Sequence, residues 1–162
     1  KVKRAFSLIE LLVVITLIAI LIGAGTVSYT NAQKKGRDGK RKSDLKAIQQ
    51  ALEQYFQQNG KYPDNSTPTA GSIRCNVGSA TNLTWGTDTF TCNSITFLDR
   101  LPKDPTDQSS TNGYDYSASG TPPKTYVISA NLENNNDSDR ITTGIPCTPL
   151  GYPTRDFCVS NP

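Results

Sequence analysis

The chain has 162 residues, 17 Lys and Arg against 14 Asp and Glu, and a formal net charge of +3. That length suits one domain plus an appended segment, and so mild a charge does not by itself call for nucleic acid. There is no histidine, which excludes Ser-His and Cys-His nucleophile pairs and removes the commonest acid-base side chain, so no enzyme is expected.

Residues 1–5 form a short basic leader with Lys1, Lys3 and Arg4. Residues 6–25 follow as an apolar run whose single charge is Glu10. About twenty apolar residues let a helix cross a bilayer. A carboxylate there costs roughly 2.5 kcal/mol or more unless it is matched. A plain anchor has no use for Glu10, so the helix is expected to leave lipid for a protein environment that answers the charge. A basic start before an apolar run also describes a secretory signal, but the small-x-small cleavage pattern is poor and the run is long for a signal core.

Helical spacing continues through residues 26–60. Leu45, Ile48, Leu52, Tyr55 and Phe56 make a one-sided apolar stripe that must bury against the rest of the chain. Asn59-Gly60 supplies the stop, with Pro63 just beyond. A continuous helix over residues 6–59 would be about 80 Å long. Gly23, Gly25, Gly36 and Gly39 are its weak points, each costing on the order of 1 kcal/mol relative to Ala; at Gly23 and Gly25 the sequence leaves open tolerated glycines on one side and local melting or close helix approach on the other. Lys34, Lys35, Arg37, Lys40, Arg41, Lys42 and Lys46, offset by Asp38 and Asp44, read as a solvated helix face or a pairing surface for neighbouring subunits. Without interleaved aromatics this stretch is no stacking platform, and nucleic acid is not expected as a partner.

Residues 61–162 form a β-rich head. Residues 61–93 read as an irregular excursion, Ser94 to Leu101 as a loose alternation ending in a proline turn. Tyr114-Asp115-Tyr116-Ser117 and Tyr126-Val127-Ile128-Ser129-Ala130 are the best strands. A third strand is expected around residues 140–145, and the last sixteen residues as coil. Trp85 is expected to anchor a satellite of the core. The fold class is therefore α+β: a long N-terminal helix laid on a small antiparallel sheet with disulfide-pinned loops.

All four cysteines, Cys75, Cys92, Cys147 and Cys158, follow the apolar run. With no CxxC pair and no histidine a zinc site is not expected. Disulfides in an exported domain fit better. Three connectivities exist; the nearest-neighbour pairs Cys75–Cys92 and Cys147–Cys158 are favoured because they close local loops with little core of their own. Cations lie on both sides of the apolar run, so charge alone leaves the orientation split, and the cysteines favour a C-terminal domain outside the membrane.

Lys3-Arg4-Ala5-Phe6-Ser7-Leu8-Ile9-Glu10-Leu11-Leu12-Val13-Val14 resembles the N-terminal motif of type IV pilins and type II secretion pseudopilins. Asn59-Gly60-Lys61-Tyr62-Pro63, then Leu101-Pro102-Lys103-Asp104-Pro105, then the two tyrosine-rich strands, are similar in order to the major pseudopilin branch. The resemblance implies a pilin fold and a homo-oligomeric helical filament. It implies cleavage by a prepilin peptidase between Ala5 and Phe6, methylation of the new Phe6 amine, and assembly by an inner-membrane platform and ATPase. Glu10 would then pair with the N-terminal amine of a neighbouring subunit. Ala5 stands where the family usually has glycine. If residues 1–5 stay on, Lys3 or Arg4 of a neighbour would answer Glu10 instead. The subunit would sit in the cytoplasmic membrane with its head outside and pass into an extracellular filament.

No cofactor is required on this reading, although major pseudopilins of this pattern bind calcium in a loop near residues 131–139. Asn134, Asp137 and Asp139 are the oxygen ligands nominated here. The function expected is a structural subunit of a type IV pilus-like filament serving adhesion or motility. A type II secretion pseudopilin is the alternative, and a membrane-anchored monomeric adhesin or DNA-binding module the second.

Overall fold

The structure, a computed structural model, describes residues 7–65, 71–75, 82–106, 113–141 and 156–161, with backbone alone at 24–27. Helix α1, Leu8–Asn59, is unbroken over 52 residues. It runs through Gly23 and Gly25 without melting, so of the readings left open there the helix tolerates both glycines; each costs too little to interrupt so long a helix. The stop is where the sequence places it. Gly60 adopts φ +66° and its N–H donates to the Phe56 carbonyl at 2.7 Å, a left-handed cap that suits a residue without Cβ. Lys124 also donates to the Gly60 carbonyl.

Among the described residues seven short strands follow: β1 Asp64–Asn65, β2 Ile73–Arg74, β3 Phe90–Cys92, β4 Ile95–Leu98, β5 Asp115–Ser119, β6 Thr125–Ala130 and β7 Phe157–Ser160. They pair antiparallel as β1-β2, β3-β4 and β5-β6-β7. Tyr116 lies opposite Ile128, and Ile128 opposite Val159. The third strand of the main sheet is therefore β7, where coil was expected. Arg140 and Ile141, placed in a strand by the sequence, are outside regular structure, and 142–145 lie outside the described residues. A four-residue alternation is too short to stand out locally. It becomes a strand because β6 presents an open edge of backbone donors and acceptors.

The apolar stripe of α1 meets the strands as its spacing requires. Leu45, Ile48, Leu52 and Tyr55 are buried, each large side chain contributing about 1.5–3 kcal/mol when removed from water. Tyr55 packs edge-on against Phe97 at 5.2 Å between centroids, and Tyr62 against Tyr126 at 4.6 Å. Tyrosine hydroxyls at the seam find acceptors: Tyr62 and Tyr126 donate to Glu53 at 3.1 and 3.0 Å, Tyr116 to the Pro63 carbonyl at 2.7 Å. Tyr114 donates to Asp44 at 2.7 Å; burial raises the Asp44 carboxyl against that bond. Trp85 is buried as expected, its indole N–H donating to the Gly71 carbonyl at 2.7 Å.

Candidate assembly surface

Two halves of one helix carry different chemistry. Between positions 8 and 22 every large apolar side chain is exposed, from 47% at Val14 to 81% at Leu8, so the greasy surface goes all round the helix. It is also the one helix among the described residues long and apolar enough to cross a membrane. Glu10 is exposed in the first turn, near the partial positive charge of the helix N-terminus. Ser7 caps the helix without a side-chain bond. Ala5 and Phe6, the expected cleavage and methylation positions, lie outside the described residues.

From residue 37 onward the helix is clamped. Arg41 is 2% exposed, although the sequence places it on a solvated face. Its guanidinium donates to Asp104 at 2.6 and 2.9 Å, to Asp38 at 2.7 Å, to Glu133 at 2.8 Å and to the Thr106 hydroxyl at 2.7 Å. Arg37 adds a forked pair with Glu133 at 2.8 and 2.6 Å. The Asp38 carboxylate also accepts the Glu133 and Asn134 backbone N–H groups at 3.0 and 2.8 Å. Burial would lift the Asp104 carboxyl, but the Arg41 guanidinium and the Thr106 N–H and hydroxyl outweigh it and hold it down at about 2. Glu133 is held at about 2, chiefly by Arg37. Burial works against the charge on Arg41 too, and its three carboxylates overcome it and raise its pKa.

A signal for this clamp existed in the sequence. Stepping back from Leu45 by four residues and then three reaches Arg41 and Asp38, on the buried face. The Leu101-Pro102-Lys103-Asp104-Pro105 turn then brings Asp104 to it, anchored by the fully buried Leu101, whose N–H donates to the Asp88 carbonyl at 2.9 Å.

Cys75 and Cys92 are disulfide-bonded, 17 residues apart. Cys158 is also in a disulfide; Cys147 lies outside the described residues. The nominated oxygen ligands share a loop, but their carboxylates are occupied. Lys42 donates to Asp137 at 2.6 Å and to Asp139 at 2.7 Å, and the Asn134 side-chain carbonyl accepts the Asn136 N–H at 3.2 Å. Among the described residues no group of three or more Cys, Asp or Glu is arranged to hold a metal ion. Three of the seven basic-stretch cations thus serve their own head domain.

Residues 1–26 match the family model for the prokaryotic N-terminal methylation motif. The chain is 28% identical over 140 residues to the type II secretion system core protein G of Pseudomonas aeruginosa, covering 85% of this chain and 91% of that protein. It is 31% identical over 62 residues to the type IV major pilin protein PilA of Myxococcus xanthus, covering 38% of this chain and 28% of that one. No solved structure matches. The expected likeness to type IV pilins and type II secretion pseudopilins is borne out, and both relatives are structural proteins rather than enzymes.

Proposed function

We propose that this chain, a relative of the type IV pilins and type II secretion pseudopilins, is a structural subunit of a pilus-like filament whose shaft is built by packing its N-terminal helices. One observation carries the proposal: α1 is tied to the head from residue 37 onward while its other half exposes apolar side chains on every side, with one carboxylate among them. A solitary anchor needs the grease but not the charge.

Before assembly the apolar half spans the cytoplasmic membrane with the head outside. A prepilin peptidase cuts between Ala5 and Phe6 and the freed amine is methylated, in keeping with the motif at residues 1–26. An inner-membrane platform and its ATPase then lift subunits into an extracellular fibre serving adhesion or motility. Lipid already covers the apolar side chains, so their burial against neighbours contributes mainly through close packing. Glu10 adds direction. Unmatched it is a cost, and matched by a neighbour's N-terminal amine it becomes a register mark.

Glu10→Ala tests this. In a filament subunit the variant accumulates in the membrane but yields no polymer by electron microscopy of sheared surface fractions. Normal fibres from Glu10→Ala, or a parent chain that stays monomeric, would sink the proposal; the monomeric adhesin or DNA-binding module is indifferent to the change.

The end-to-end likeness to a type II secretion core protein favours a second reading, a subunit of a short secretion pseudopilus built by the same helix packing. Deletion separates the two: loss of surface fibres supports the pilus, loss of secreted proteins with fibres intact supports the pseudopilus.

A further inference from the structure

The loop at residues 131–140 carries Glu133, Asp137 and Asp139 with three consecutive asparagines, a composition that calls for positive charge. Calcium would meet that need with six to eight oxygens at about 2.3–2.6 Å around one point. The point toward which Asp137 Oδ1 and Asp139 Oδ2 converge is instead the Lys42 ammonium, at 2.6 and 2.7 Å. Several oxygens of the loop are engaged in its own hydrogen bonds as well. Asp137 Oδ1 also accepts the Asp139 N–H at 3.0 Å, Asn134 Oδ1 accepts the Asn136 N–H, and Asn135 Oδ1 accepts from Arg140. Glu133 is held by Arg37 and Arg41. The ammonium is steadied from a third side, 5.7 Å from the Phe157 ring centre on β7, within the range where a cation is drawn to an aromatic face. The nominated ligands therefore do not fit a divalent ion while Lys42 stands where it does.

We propose that Lys42 is the built-in cation of this loop: its ammonium takes the place a divalent metal would need between Asp137 and Asp139, so the loop is held to α1 by the helix itself and is indifferent to calcium. The head then keeps its contact with α1 wherever the subunit is carried, with no dependence on the free calcium around it. This holds for either filament reading, because it concerns the fold of one subunit.

Hydrogen–deuterium exchange across residues 134–140 of the full chain in detergent micelles tests the proposal, read in a calcium chelator and in millimolar calcium chloride. In the parent chain the two conditions give superimposable exchange and the same melting temperature, since only a ligand that binds the folded state shifts either. In Lys42→Gln exchange in the chelator rises roughly three-fold or more, the scale of a part-exposed ion pair, and calcium slows it again because the two carboxylates are free. The change lies on the helix surface, so circular dichroism should show the same helix content. Calcium that slows exchange or raises the melting temperature of the parent chain overturns the proposal. So does a Lys42→Gln loop that exchanges in the chelator no faster than the parent.

Discussion

Arg41 and Asp104, 63 residues apart, meet in a forked ion pair, Nε to Oδ2 at 2.6 Å and Nη2 to Oδ1 at 2.9 Å, with only 2% and 7% of the two side chains exposed. The pair locks the middle of α1 to the turn after Leu101. Asp38 and Glu133 share the same guanidinium, so the buried charge is matched by three carboxylates rather than one.

Arg41→Met should be strongly destabilising. It leaves Asp38, Asp104 and Glu133 without their common partner, and stripping one side of a buried pair costs about 3–5 kcal/mol. Arg41→Lys should recover only part of this, since an ammonium cannot fork to Asp104. Denaturant unfolding of the full chain in micelles, followed by Trp85 fluorescence, measures both. A loss under about 1 kcal/mol for Arg41→Met would place the clamp among weak surface pairs.

Acid should loosen the same clamp. The Asp104 carboxyl lies at about 2 in the folded chain against 3.8 unperturbed, so unfolding takes up a proton between those values. Its contribution is complete above pH 3.8 and is lost as pH falls through about 2. Glu133, at about 2 against 4.5, acts in the same direction and begins higher. Melting temperature should therefore decline steadily below pH 4.5, and Asp104→Asn should flatten that slope while lowering stability at neutral pH.

Glu53 accepts two tyrosine hydroxyls, from Tyr62 and Tyr126. Burial, together with the Glu53 carboxylate, pushes the Tyr62 hydroxyl up to about 12. Glu53→Leu removes the acceptor from both and should cost about 1–3 kcal/mol. Glu53→Gln keeps an acceptor oxygen and should cost less. Absorbance titration of the phenols should show Tyr62 ionising at lower pH in either variant.

Gly71 sits where backbone crosses closely. A Cβ there would fall 2.1 Å from Asp115 Oδ1 and 2.6 Å from Asp115 Cα. The Gly71 carbonyl meanwhile accepts the Trp85 indole N–H and the Tyr116 backbone N–H. Gly71→Ala should therefore shift the segment off β5 and cost about 1–3 kcal/mol. Emission from Trp85, the chain's single tryptophan, would move to the red as its bond is lost.

Much of this fold was legible without coordinates, and for local reasons. The α1 stripe at Leu45, Ile48, Leu52 and Tyr55 follows from helical period, its end from Gly60, and β5 and β6 from alternation with β-branched and aromatic residues. The apolar run and Glu10 need only counting. The close pairing of Cys75 with Cys92 follows from a short loop. β7 was not legible, because Phe157–Ser160 becomes a strand only where β6 offers it an edge.

Charge separates the two kinds of knowledge. Sequence alone settles that positions 34–46 are basic and that 131–140 is rich in acids and amides. Which cation meets which carboxylate was decided by the tertiary structure. Arg41 reaches Asp104 and Glu133, and Lys42 reaches Asp137 and Asp139, across 63 to 97 residues of chain. Periodicity is a property of neighbouring residues and can be read along the chain. An ion pair's energy depends on distance and on exclusion of water, and both exist only once helix and head have packed together.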